Sequence, residues 1–146
     1  MSVYADTSVL VSYYLSDANS ARANVLLNSV SDSLIFTRLH RLEFVNALEL
    51  GIFRGHYTRS QADQSWQDLV ADIRAGRLQR AAVNWSSAFR TATRLSRQFS
   101  ATIGSRSLDL LHVAAARVLE IPDFLSFDQR QSELAREIGL RQLGCP

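Results

Sequence analysis

Residues Ser107 to Leu119 read SLDLLHVAAARVL, and the way this run is buried decides the fold. After the opening serine it is apolar almost all the way round. At helical period that describes a helix sunk in a core, not one lying on a surface. Only Asp109, His112 and Arg117 interrupt it, and Ser107 reads as its N-cap. Asp109 and His112 stand three apart and so share a face. A carboxylate on a buried helix is costly unless something cationic meets it.

Upstream of this helix the chain alternates short apolar runs with helical periods. Ser2 to Ala5 (SVYA) is β-prone and stops at Asp6-Thr7-Ser8, which is N-cap chemistry for the VLVSYYL that follows. A strand ending at Asp6 puts that carboxylate where open parallel sheets bind ligands, and capping of the next helix competes for it. Asp17 to Val30 reads as a helix with Ala21, Val25 and Leu26 inward, and Leu34 to Thr37 as a second strand. From Leu39 to Ile52 the period is helical again. Within it Glu43 and Asn46 make a polar pair among Leu42, Phe44, Val45, Ala47 and Leu48. Gln61 to Ala75, capped by Thr58 or Ser60 and ended by Gly76, is the next helix, and Leu78 to Val83 a third strand.

Trp85 to Ser100 is amphipathic, with Ala88, Phe89, Ala92, Leu95 and Phe99 on one side. Arg90, Arg94 and Arg97 recur on another, a solvated face in the plain reading and a phosphate-binding one in the sharper reading. Ala101 to Arg106 is expected to be a loop. Beyond the central helix, Ile121-Pro122 leads into a fourth strand, Asp123 to Phe127. Asp128 follows that strand as Asp6 follows the first. Gln129 to Ile138 is a last helix closed by Gly139, and Leu140 to Leu143 an edge strand. Strands alternating with helices at this cadence predict an α/β protein with a parallel sheet covered on both sides.

The bulk numbers fit one domain over residues 1–146, since 47% hydrophobic and 21% charged residues are ordinary for a globular chain. A net charge of +2 does not by itself require a polyanionic partner. All basic residues are arginine. The lack of lysine excludes Walker-type phosphate loops, phosphoacceptor domains, lysine-dependent phosphatases and Schiff-base enzymes. Cys145 is the only cysteine, so no internal disulfide can form. Met1 to Ser8 does not read as a signal peptide and no stretch spans a bilayer. A soluble, cytoplasmic protein without membrane contact is expected.

Four acids stand out by position: Asp6 and Asp128 after strands, Asp109 in the first turn of the buried helix, Glu43 early in an apolar one. Strand ends and helix starts gather at one edge of a doubly wound sheet. Carboxylates about 5 Å apart repel by roughly 3 kcal/mol per pair at an effective dielectric near 20. Either some are protonated or a cation sits among them. Oxygen-only ligands suit Mg²⁺ or Mn²⁺, and such a site hydrolyses phosphodiesters economically.

Four motifs, VYADTSVLVSYY, RLEFVNAL, SLDLLHVAAA and FLSFDQRQSELAREIGL, together resemble PIN domains, in particular the VapC toxins of type II toxin–antitoxin pairs. The resemblance implies a three-layer α/β/α fold with a central, mainly parallel sheet of four or five strands. It also implies a Mg²⁺- or Mn²⁺-dependent endoribonuclease. The family's acids fall on Asp6, Glu43, Asp109 and Asp128, with Asp6 and Asp109 as leading metal ligands. Ser8, Asn46 and Ser126 match polar helpers that hold those carboxylates, and His112 is expected to hydrogen-bond one of them. Relatives commonly form homodimers and are silenced by a cognate antitoxin. TRLHR, residues 37–41, is more basic than in many relatives, which makes Arg38 and His40 candidate RNA contacts, His40 and His56 being expected at the surface. The competing reading is a catalytically inactive RNA- or protein-binding module on the same fold.

Overall fold

Short apolar runs become strands and longer periodic ones helices through the computed structural model, which describes residues 2–143. In order these are β1 (Ser2–Ala5), α1 (Thr7–Tyr14), α2 (Ser20–Ser29), β2 (Ser33–Phe36), α3 (Arg38–Phe53), α4 (Arg59–Arg74) and β3 (Leu78–Arg80). Then come α5 (Trp85–Leu95), a π-helical turn (Ser96–Ser100), α6 (Ala101–Ile103), α7 (Ser107–Val118), β4 (Asp123–Leu125), α8 (Gln129–Glu137) and β5 (Arg141–Leu143). The strands form one five-stranded sheet of order β3-β2-β1-β4-β5. The pairings of β1 with β4, β2 with β3 and β4 with β5 are parallel. The α/β class and the mainly parallel central sheet are therefore as expected, at five strands. Among the described residues no helix is long and apolar enough to cross a membrane.

The chain divides into two compact units, residues 7–81 and residues 2–6 with the chain from 82 onward. In the first unit β2 and β3 pair from Leu34↔Leu78 to Phe36↔Arg80. Thr37 starts α3: its backbone N–H donates to His40 Nδ1 at 3.0 Å, and the His40 N–H returns to Thr37 Oγ1. Thr58 and Gln61 form the same reciprocal cap on α4. On α2 the buried residues are Ala23 and Leu27, four apart and docked toward α1. The expectation of Ala21, Val25 and Leu26 inward is corrected, with Val25 71% exposed. The helix carries apolar residues on more than one side, and docking selects one pair. Asn46, Leu42 and Val45 are likewise exposed on α3, whereas Phe44 and Leu48 are buried.

In the second unit β1, β4 and β5 are parallel neighbours, Tyr4 facing Phe124 in register and stacked on it. Every residue from Leu110 to Ala116 in α7 is buried, as an all-round apolar run requires. Three consecutive alanines there leave room for α5, which packs along α7 and buries Ala88, Ala92 and Leu95. Phe89 is exposed instead, at the margin of that stripe. Strands β3 and β4 stop at Arg80 and Leu125, short of the expected Val83 and Phe127, and two boundaries before α7 also differ from expectation. Ala101 to Ile103 is helical, so the loop is confined to 104–106, turned by Gly104 at φ 77°. Arg106, with extended backbone, holds the cap position before α7, and Ser107 is already helical. At the outer strand, Arg141 donates through two nitrogens to buried Asp123, one bond measuring 2.7 Å.

Gly51 lies within α3, where a Cβ would run into the Tyr57 ring. Alanine in a helix interior is favoured over glycine by about 1 kcal/mol, but overpacking costs about 1–3 kcal/mol. Gly51→Ala is therefore expected to lower the urea midpoint. In a Tyr57→Ala background the same change should raise it, and a double-mutant cycle reads the difference.

Candidate active site

Asp6 sits one residue past β1, and its backbone N–H donates to Leu125 O at 3.0 Å. That bond carries the β1–β4 ladder past the strand and fixes where the carboxylate points off from. The residue is 5% exposed. Ser126, the residue after β4, donates to Asp6 Oδ2 at 2.9 Å and lies 2.7 Å from Gln131 Oε1. One hydroxyl has one proton, so these two acceptors share it. The Ser126 oxygen also accepts the Asp128 N–H at 3.0 Å.

Asp128 divides its oxygens between two tasks. Oδ1 accepts the Gln131 N–H at 3.0 Å and caps α8. Oδ2 lies 3.6 Å from Arg106 Nη2. The Arg106 Nε donates to Asp109 Oδ2 at 2.9 Å, three residues ahead in the first turn of α7. Gln131, fully buried, reaches Asp109 O through Nε2 at 3.4 Å. Arg106 is held charged beyond its usual range. The hydrogen bond that Arg106 donates to Asp109 is the largest cause and the charge of Asp109 the next. Asp128 and Asp6 add to it, with partial burial opposing. Asp109 and Asp128, nineteen residues apart in the chain, thus meet one guanidinium.

Glu43 belongs to the other unit. Its Oε1 accepts from Thr7 Oγ1 at 2.9 Å, and Thr7 is the residue that follows Asp6 in the chain. His112 is buried, and its Nδ1 lies 2.8 Å from the Tyr4 hydroxyl. His40 is fully buried, stacked on Phe36 and bonded to Thr37, so its expected place at the surface in contact with RNA is corrected. The basic stretch around it suggested solvent, whereas its ring completes a helix cap. Arg38, Ser8 and Asn46 are exposed, and so are Arg90, Arg94 and Arg97.

Arg106, Gln131, Thr7 and Tyr4 escaped the sequence reading as site residues. Two left a trace: Arg106 and Asp109 are at ion-pair spacing, and Asp128-x-x-Gln131 is a capping-box pattern.

A hard divalent cation fits the donor chemistry of Asp6, Asp109 and Asp128, which offer carboxylate oxygens only. The demand for positive charge there is real, because Arg106 answers it. Among the described residues no three or more of His, Cys, Asp and Glu are grouped to hold a metal ion. Two of these carboxylates are turned to Arg106 and, in Asp128, to a helix cap.

No curated protein matches the chain. The PIN domain family matches residues 3–137, a span that runs through both units. The chain belongs to the PIN domain family, a family of nucleases that generally depend on metal ions.

Proposed function

We propose that this protein is a Mg²⁺- or Mn²⁺-dependent endoribonuclease, the cytoplasmic toxin of a toxin–antitoxin pair of the VapC kind. The observation that carries the reading is the meeting of Asp109 and Asp128 on one arginine, with Asp6 tied to Asp128 through the Ser126 hydroxyl, in a chain of a nuclease family. These three are the proposed metal-holding acids. Glu43 takes the fourth place on the resemblance alone. A bound divalent ion would polarise the scissile phosphodiester and lower the pKa of the attacking water. The chain's own part is orientation. Ser126 fixes Asp6 from one side, Gln131 fixes Asp128 through its backbone, and Thr7 fixes Glu43.

An RNA substrate, a cognate antitoxin and a homodimer complete the reading. Leu42 and Phe53, 68% and 87% exposed and eleven residues apart on α3, lie on one face that a protein partner could cover.

One observation favours the second reading, a catalytically inactive RNA- or protein-binding module: Asp109 and Asp128 are already partly compensated by Arg106. Cleavage decides between the two. Incubated with structured RNA and Mn²⁺, the purified protein is expected to cut at defined sites and to stop with EDTA. Asp6→Asn and Asp109→Asn should each lower the rate at least about 100-fold with the fold intact by circular dichroism, in line with loss of a metal ligand. Cleavage at wild-type rate by either variant rules out this site. Ser126→Ala, which removes an orienting bond and no charge, is expected to cost roughly 10–100-fold in the same assay.

A further inference from the structure

Arg106 reaches Asp109 and Asp128 from a loop of three residues. Gly104 turns that loop at φ 77°, and its carbonyl accepts from Arg130 Nη1 at 3.3 Å, so the backbone is tied down. The side chain is not. It is 69% exposed, whereas the side chains of Asp109 and Asp128 are 19% and 27% exposed and Asp6 is buried. A long, solvated arginine can swing off its partners with little loss of packing, while the carboxylates stay where β1, α7 and α8 put them.

Ion pairs this exposed are individually weak. They offset half the charge of two acids that would otherwise repel, and are weak enough to be displaced by a doubly charged ion. Its side-chain contacts go to Asp109 and Asp128.

We infer that Arg106 is a built-in counter-cation, seated on Asp109 and Asp128 in the metal-free protein and displaced when a divalent ion binds there. It rests on the metal-site reading above. Arg106 then sets the threshold for metal loading: the metal must outcompete a tethered positive charge, and the affinity for free ion is lowered accordingly. An arginine that merely supports the loop would behave oppositely, because its loss would weaken the site for metal.

The test compares wild type, Arg106→Gln and Arg106→Lys, titrated with MnCl₂ in a calorimeter at low ionic strength and melted separately in EDTA. For two exposed ion pairs, Arg106→Gln is expected to bind Mn²⁺ about three- to tenfold more tightly. In EDTA the same variant should melt about 1–3 °C lower, since its carboxylates have lost their partner. Arg106→Lys, which keeps the charge, should stay near wild type in both. Tighter metal binding together with a lower metal-free melting point is a pair of signs that a loop-supporting role does not produce. Equal or weaker Mn²⁺ binding by Arg106→Gln overturns the inference and leaves the metal reading standing. Saturable binding by neither protein overturns the metal reading and the inference with it.

Discussion

Negative charge at the end of a buried strand has to be met, and that requirement shapes half of this molecule. Asp6 is held at the rim of β1 by a backbone bond to Leu125 and is almost wholly enclosed. Asp128 ends the β4 connection, and Asp109 opens α7. Helix N-termini help two of them, but a macrodipole is worth only about 0.3–1 kcal/mol. Carboxylate repulsion at short range is several times larger. Hydrogen bonds from Ser126 and the Gln131 backbone orient the acids without supplying charge. A full positive charge is needed, and the chain carries one in Arg106.

The same requirement accounts for α7. A helix that presents an acid at the mouth of the sheet has to be anchored firmly, and burial of every residue from Leu110 to Ala116 anchors it. The alanine run trades side-chain volume for close approach, which lets α5 lie along it. His112 is buried in this helix with its polar nitrogen answered by Tyr4. An unanswered one would cost roughly 1–3 kcal/mol.

The parts legible in the sequence were those where one signal dominates. β1 and β4 were visible because each is a short apolar run stopped by an acid. α7 was visible because no polar face interrupts it. What stayed hidden depends on tertiary choice. Ala23 and Leu27 rather than Ala21 and Val25 face inward on α2, because docking and not composition picks the side. His40 looked exposed among basic neighbours, yet the histidine ring takes the place in the cap that Glu or Gln usually fills. Asn46 shares a helix with Glu43 but faces water. Arg106 left no more than its ion-pair spacing to Asp109, because a loop arginine gives no periodicity to read.

The two outermost strands have a consequence for how the protein behaves at high concentration. β3 and β5 are three residues each and lie at the sheet's opposite edges, and each carries an arginine, Arg80 and Arg141. Arg141 is moored to buried Asp123 opposite it on β4, which pins the short outer strand in register. Short, charged margins give a passing strand little to zip onto. The sheet is thereby protected from growing into its neighbours and polymerising edge to edge.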